Sequence, residues 1–193
     1  AEATRAVFRA AKNDGIVAIS PCENVRRKKG AVGTHRNLDD WEIKLIKDTC
    51  ESERMGIYAM VMLYAGLRRG EALALDIDDD VDFEKGVIHV RKAIRRERSD
   101  YIITVPKTKA GIRDVPLFPP LRDVLQGRHG SVIISKDNKI ISFSAVTDAW
   151  KRYQNHLSKV AGRNVAIRQH DCRHTFATML YDADVDIKTA ARW

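Results

Sequence analysis

The chain has 193 residues, of which 44% are hydrophobic and 31% charged, and it carries a formal net charge of +8. This composition excludes a disordered tail, and no apolar run approaches the about 20 residues needed to span a bilayer. The first residues lack the apolar stretch of a secretory signal peptide. We therefore expect a globular, cytoplasmic protein of one domain, or of one domain and a fragment of another.

Three helices and a linker are predicted in the first third of the chain. Residues 1–14 predict an amphipathic helix, because their apolar side chains recur at helical spacing. Residues 22–36 are polar, basic and interrupted by glycine, which is typical of a linker. Residues 39–42 form a capping signature for a second helix that runs to about Cys50. A longer apolar helix follows and ends at Gly66.

The rest of the chain predicts strands followed by helices. Three short β-branched runs fit an antiparallel sheet: residues 87–90, 101–105 and 112–115. Helices are predicted after them: a short one opened by Pro119 and Pro120, one over residues 144–161, and one from His170 with a break near residues 182–184. The predicted fold class is mainly α with a small antiparallel β-sheet, an α+β fold.

The cysteines and the acidic run indicate no metal or disulfide. Cys22, Cys50 and Cys172 are odd in number and widely spaced, which indicates reduced thiols. The run at residues 76–82 begins like a calcium loop, but valines replace the glycine and the closing glutamate that such a loop needs. We interpret it as a solvated turn between a helix and the sheet.

The positive charge is concentrated in one segment. Residues 91–114 hold eight basic and three acidic side chains, a net charge of +5, and a second basic cluster occupies residues 26–29. Basic faces are usually only solvated, but this concentration favours a nucleic-acid partner. The candidate DNA-binding residues are Arg91, Lys92, Arg95, Arg96 and Lys109.

A first candidate site residue is Arg68, which follows Gly66 at the end of the apolar helix. Glu71 lies three residues further on, so the two side chains can meet on one helical face. A carboxylate there could orient the guanidinium for bidentate contact with phosphate oxygens. The alternative is a surface ion pair, but the apolar residues on both sides favour a segment that faces the interior.

A second candidate pair is His170 and Arg173, whose spacing places both side chains on one side of a helix. Arginine offers forked donors to a phosphate, and histidine can transfer protons near neutral pH. With His174, the segment also contains a His-x-x-x-His pattern. The glutamate of the usual zinc motif is missing, and Arg173 would repel a cation, so no metal and no cofactor is predicted.

Two motifs resemble those of the tyrosine recombinases, the phage-integrase family. Residues 66–75, a Gly-x-Arg-x-x-Glu followed by leucines, are similar to the family's first arginine motif, with Arg68 rather than Arg69 in the catalytic place. Residues 170–178, His-x-x-Arg-His-Thr-Phe-Ala-Thr, are similar to its second. The resemblance covers about residues 34–193 and implies a catalytic domain there, with residues 1–33 as the end of a core-binding domain and a linker.

The same resemblance assigns a role to a lysine. A lysine in a hairpin turn usually faces solvent, but in this family it acts as general acid on the leaving oxygen. The usual setting is Lys-Thr followed by a basic residue and Val-Pro-Leu, which Lys107 fits better than Lys109.

The family's chemistry follows as an expectation. The resemblance implies that Arg68 and Arg173 hold the non-bridging oxygens of a phosphodiester, that Lys107 protonates the leaving 5′ oxygen, and that His170 assists proton transfer. It implies site-specific recombination of duplex DNA through a 3′-phosphotyrosyl link, without metal or cofactor. It also implies a synaptic tetramer and an association with the nucleoid.

None of the five tyrosines suits in-line attack. They lie on apolar helix faces, in a strand, or about 12 Å along the helix from Arg173 and about 80° off its face: Tyr58, Tyr64, Tyr153, Tyr101 and Tyr181. We therefore expect the family's nucleophile and third histidine to lie beyond Trp193, and this chain to bind DNA without cleaving it. The alternatives are a DNA-binding module without catalysis and an enzyme similar to type IB topoisomerases, against which the Thr-Phe-Ala-Thr segment favours the recombinase.

Overall fold

The computed structural model describes residues 2–25, 36–97, 100–105, 111–133 and 142–193. The chain divides into two compact units, residues 1–34 and 35–193. In the first unit, helix α1 (Glu2–Asn13) is followed by turns, and Lys12 forms an ion pair with Glu23 at 2.8 Å. None of the described helices is long and apolar enough to cross a membrane.

The second unit combines helices with two small antiparallel sheets. Its described helices are α2 (Asp40–Thr49), α3 (Arg54–Tyr64), α4 (Arg69–Ala74), α5 (Ile77–Asp80), α6 (Pro119–Leu125), α7 (Phe143–Ala161), α8 (Gln169–Asp182) and α9 (Ile187–Ala190). Its described strands are β1 (Val81–Asp82), β2 (Val87–Val90), β3 (Ala93–Glu97), β4 (Asp100–Thr104) and β5 (Arg113–Pro116). In one sheet β2 lies between β1 and β5, and in the other β3 pairs with β4. The predicted fold class is confirmed.

Helix α3 forms the centre of the core, because nearly all of its side chains are apolar and buried. A helix that is apolar on every side must be covered on every side. Helices α2, α4, α6, α7 and α8 all pack against it. The two sequence motifs, which α4 and α8 carry, are therefore held on one central helix although they lie far apart in the sequence.

The predicted capping signature begins α2. The Asp39 N–H donates to Glu42 Oε2 at 3.0 Å, so the third helical residue satisfies a main-chain donor ahead of the helix. Glu42 is buried and also accepts two hydrogen bonds from Arg36, at 2.6 and 2.7 Å. One carboxylate thus both caps the helix and anchors the segment that enters it.

The strand pairing differs from the predicted three-stranded sheet. Strands β2 and β5 pair with each other, but β4 pairs with β3. The sequence does not predict β3, because four of its five residues are not buried and three are charged; Ile94 is the buried one. A hairpin with one face in solvent needs few apolar residues, so its pattern is weak.

The interpretation of residues 76–82 as a solvated turn is wrong for part of the run. These residues form α5 and β1, and the Asp76 carboxylate accepts from the N–H groups of Asp78 and Asp79 at 3.1 and 3.4 Å. Asp80 is buried, and it pairs with Lys92 at 3.0 Å. A partnered carboxylate can be buried in a run whose composition alone predicts exposure.

Candidate active site

The first motif places Arg68 at the start of a helix. Gly66 has a positive φ of 59°, which turns the chain after α3, and Arg68 is the N-cap residue of α4. Glu71 accepts from the Arg68 main-chain N–H at 2.8 Å and from Arg68 Nη1 at 2.9 Å. The Arg68 side chain is nevertheless 63% exposed, so part of its guanidinium faces solvent and can meet a ligand.

Glu71 is a buried carboxylate shared by two arginines. Arg113 on β5 donates through both terminal nitrogens to Glu71, at 3.0 and 2.8 Å. The side chains of Arg113 and Glu71 are only 9% and 7% exposed. The structure therefore brings Glu71 together with Arg68, as the motif spacing suggests, and adds a second arginine.

The pKa of Glu71 reflects this environment. Burial raises the pKa, but the hydrogen bonds from Arg113 and from the Arg68 main chain, together with the Arg113 charge, outweigh it and lower the pKa to about 2. A carboxyl group with this pKa is ionised at neutral pH. It therefore offsets part of the positive charge of both arginines.

From the sequence, Arg113 is predicted only as one of the basic residues of 91–114, and not as a residue of the site. A usable signal exists, however, because side chains two residues apart in a strand share a face. Val115 and Leu117 are buried, and Arg113 precedes them by two and four residues. Strand alternation thus predicts an inward-facing arginine that needs a buried partner.

The second motif lies at the start of α8. Arg168 is the N-cap residue, and its main-chain N–H donates to the fully buried Asp171 at 2.9 Å. Two residues after Asp171, Arg173 is half-buried. Burial lowers the pKa of Arg173; the charges of Arg68 and Arg113 lower it further, while Glu71 raises it. Arg173 lines one cavity with Gly66 and Phe176, so the second motif lies beside the turn that leads to Arg68.

His170 is exposed one helical turn before His174, and the two rings meet edge to face with centroids 4.3 Å apart. His170 and Arg173 are three residues apart on α8, so they share one side of the helix. Within the described residues, no three His, Cys, Asp or Glu side chains are grouped to hold a metal ion.

The threonines of the second motif fasten the start of the second unit to α8. The Leu38 N–H donates to Thr175 Oγ1 at 2.8 Å, and Thr175 Oγ1 donates to the Asp171 carbonyl. Thr178 Oγ1 donates to Asn37 Oδ1 at 3.0 Å. These two threonines therefore have a structural role, because their hydrogen bonds hold in place the helix that carries Arg173.

The other predicted positions have different environments. Arg69 points away from Arg68: it lies over the Phe143 ring, 4.7 Å from its centroid, and donates to the Phe143 carbonyl at 2.7 Å. Lys107 and Lys109 lie outside the described residues.

The predicted DNA-binding residues divide into two groups. Arg91, Arg95 and Arg96 are exposed, and Arg95 forms a loose ion pair with Glu97 at 3.5 Å. Lys92 is only 24% exposed and is bound to Asp80. Its ammonium group is already paired with a buried carboxylate, so Lys92 is a weaker candidate for a phosphate contact.

All five tyrosines lie within the described residues. Tyr58, Tyr64 and Tyr153 are buried, and burial raises the pKa of each phenol. Tyr101 packs edge to face against Phe143 with centroids 5.0 Å apart. Tyr181 is 73% exposed and lies eight residues after Arg173 on α8. Buried phenols are poor candidates for attack on a DNA phosphate.

Comparison with known proteins identifies the family of this chain. Residues 36–193 match the model of the phage integrase family, and the chain belongs to that family. It is 28% identical over 219 residues to a tyrosine recombinase XerC-like protein of Caldanaerobacter subterraneus subsp. tengcongensis, covering 95% of this chain and 54% of that protein. It is 25% identical over 181 residues to the tyrosine recombinase XerC of Proteus mirabilis, covering 91% of this chain and 56% of that protein. The chain spans about half the length of these relatives.

Solved structures share the fold. The integrase of transposon Tn1549, in complex with circular intermediate DNA, has a TM-score of 0.77 at 19% identity, covering 96% of this chain and 66% of that one. The XerA recombinase has a TM-score of 0.57 at 23% identity, covering 98% of this chain and 64% of that one.

Proposed function

We propose that residues 36–193 are the catalytic domain of a site-specific DNA recombinase that cuts and rejoins duplex DNA through a 3′-phosphotyrosyl link. Membership of the phage integrase family supports this proposal, as do relatives named tyrosine recombinases. Residues 1–33 are the end of a core-binding domain and a linker. The protein that carries this chain assembles on DNA as a synaptic tetramer and is associated with the nucleoid.

One observation carries the proposal: the buried Glu71 carboxylate binds the guanidinium groups of both Arg68 and Arg113. Arg173 lines the same cavity as Gly66, which lies two residues before Arg68. Three positive charges and one negative charge leave a local excess of positive charge. A phosphate anion would offset this excess, and arginine forks match phosphate oxygens.

The exposed arginine is the natural first contact. Arg68 is largely open to solvent and Arg173 is half-buried, whereas Arg113 is enclosed, so we expect a phosphate to contact Arg68 and Arg173. These two arginines hold the non-bridging oxygens and stabilise the charge that develops on them in the transition state. As the tyrosine oxygen bonds to phosphorus and the 5′ oxygen leaves, Lys107 gives that oxygen its proton and His170 assists transfer of the tyrosine proton.

The nucleophile in this proposal is none of the five tyrosines discussed above. Three of them are buried, Tyr101 packs against Phe143, and Tyr181 lies eight residues after Arg173 on α8. This placement favours a second candidate function for the chain by itself, a module that binds duplex DNA without cutting it. Both candidate functions need contacts with DNA phosphates. Exposed arginines on β3 and just before it would supply them: Arg91, Arg95 and Arg96.

Arg173→Lys in the full-length gene product tests the catalytic proposal. Lysine keeps the charge but loses the fork, so covalent complex on a nicked substrate should be abolished while DNA affinity stays within about tenfold. Arg163→Lys is the control, because that guanidinium lies 3.5 Å over the Trp41 ring and has no part in the proposed chemistry. Near-normal covalent complex with Arg173→Lys would remove Arg173 from the site.

A further inference from the structure

Arg113 is enclosed in the site without being open to a ligand. Its side chain is 9% exposed, both terminal nitrogens donate to Glu71, and Nε donates to the main-chain oxygen of Trp193. An arginine whose donors are used in this way has little left for a DNA phosphate. Arg113 can therefore influence a ligand only indirectly, through the groups to which it is hydrogen-bonded.

Glu71 connects Arg113 to Arg68 atom by atom. Oε1 accepts from Arg113 Nη1 at 3.0 Å and from Arg68 Nη1 at 2.9 Å. Oε2 accepts from Arg113 Nη2 at 2.8 Å and from the Arg68 main-chain N–H at 2.8 Å. Each carboxylate oxygen thus joins one donor of each arginine. Because a guanidinium fork and a carboxylate are both planar, the two parallel bonds fix the plane of Glu71.

We propose that Arg113 is a positioning residue that sets the orientation of Arg68 through Glu71. With the carboxylate plane fixed, both the first turn of α4 and the Arg68 guanidinium have a defined place, and the remaining donors of Arg68 face outward. The identity of the ligand, a DNA phosphate, rests on the proposed function, whereas the coupling between the two arginines does not.

Arg113 also connects the sheet to helix α4. Arg113 begins β5, where it pairs with Val90 on β2, so the same side chain fastens the sheet to α4. In the sequence it follows Lys107 by six residues. The strand that leads from the lysine segment is therefore attached to the carboxylate that holds Arg68.

A simpler role for Arg113 would be to neutralise the buried charge of Glu71. The two roles make different demands on the side chain. Neutralisation needs a positive charge, which lysine also supplies, whereas positioning needs the planar fork, which lysine lacks. Arg113→Lys therefore separates them.

The first experiment measures duplex DNA affinity in a double-mutant cycle. Arg113→Lys should weaken binding about tenfold in the wild-type background, as expected when a charge-assisted hydrogen bond is misplaced, and should change nothing once Arg68→Ala is present. Arg95→Ala is the matched control from the same basic segment, and it should weaken binding by the same factor in both backgrounds. An equal loss from Arg113→Lys in both backgrounds would overturn the proposal.

The second experiment needs no DNA. In the wild-type chain, NMR should find a restrained Arg68 Nε–H and a Glu71 carboxyl that titrates at about 2. In Arg113→Lys the Arg68 order parameter should fall and the Glu71 midpoint should rise. If Arg68 stays equally ordered, Arg113 does not position it. The NMR experiment tests whether Arg113 positions Arg68 even if the chain does not bind DNA. A failure to bind DNA would count against the proposed function alone.

A further variant tests the proposal if Arg113→Lys does not fold. Glu71→Gln combined with Arg113→Gln removes both buried charges together and leaves no lone charge in the interior. The double variant should fold and should show the same loss of Arg68 order. Retained order in this variant would equally overturn the proposal.

Discussion

Gly66 lies directly against the ring of Phe176, so that a Cβ atom at Gly66 would overlap the ring carbons Cδ1 and Cε1. The glycine belongs to the first motif and the phenylalanine to the second. This contact brings the turn before Arg68 onto the helix that carries Arg173. The missing side chain at Gly66 is therefore a condition for the proximity of the two arginines.

Gly66→Ala should destabilise the protein more than an ordinary glycine substitution at positive φ. The backbone conformation alone costs about 1–2 kcal/mol for alanine, and overlap with Phe176 adds about 1–3 kcal/mol. Gly86→Ala is the matched control, because Gly86 has a similar φ of 65° but no atom near an added Cβ. If urea melts show the same loss of unfolding free energy for Gly66→Ala and Gly86→Ala, overlap with Phe176 does not contribute to the destabilisation.

The pKa of Glu71 predicts how stability depends on pH. The folded pKa of about 2 is below the ordinary value of 4.5, so Glu71 stabilises the fold above pH 4.5 and this contribution disappears as the pH falls through 2. The full contribution is about 3 kcal/mol at neutral pH.

Glu71→Gln should remove that part of the acid sensitivity. Between pH 5 and pH 3, the unfolding free energy of the variant should fall less steeply than that of the wild type, although the variant starts lower because Arg113 loses its buried partner. Denaturant melts across this range measure both slopes. Parallel slopes would show that Glu71 is not held ionised by Arg113 and Arg68.

The sequence predicts the longer helices but not α5, and the difference has a physical reason. Helix α3 is apolar throughout and α7 is amphipathic, so their burial determines their structure. The pair of Arg68 and Glu71 follows from local helical spacing, as does that of His170 and Arg173. Such short-range relations can be inferred without knowing what packs against them.

The remaining features depend on contacts between distant residues. Arg113 meets Glu71 across 42 positions, and Asp80 meets Lys92 across a change from helix to sheet. A charged run such as β3 becomes a strand only because β4 pairs with it. Composition alone places Asp80 and Lys92 in solvent, and their mutual contact reverses that assignment. Strand alternation turns Arg113 inward, but only the fold supplies Glu71 as its partner.

The 193-residue chain by itself should form no covalent adduct with DNA. Three of its tyrosines are buried, Tyr101 packs against Phe143, and the exposed Tyr181 lies about 12 Å along α8 from Arg173. After incubation with end-labelled duplex that carries the recognised site, a denaturing gel should contain only free DNA. A detergent-resistant band that disappears with Tyr181→Phe would identify Tyr181 as a nucleophile and contradict this account.

The central claim is that the chain binds DNA through its phosphates, and the salt dependence of binding tests it most directly. If about five basic side chains from residues 91–113 and 26–29 contact phosphates, a plot of log affinity against log salt should have a slope of about −4 to −5. Arg91→Ala, which removes one exposed charge from this set, should make the slope shallower by about 1. A slope near zero for the wild-type chain would contradict the DNA-binding account.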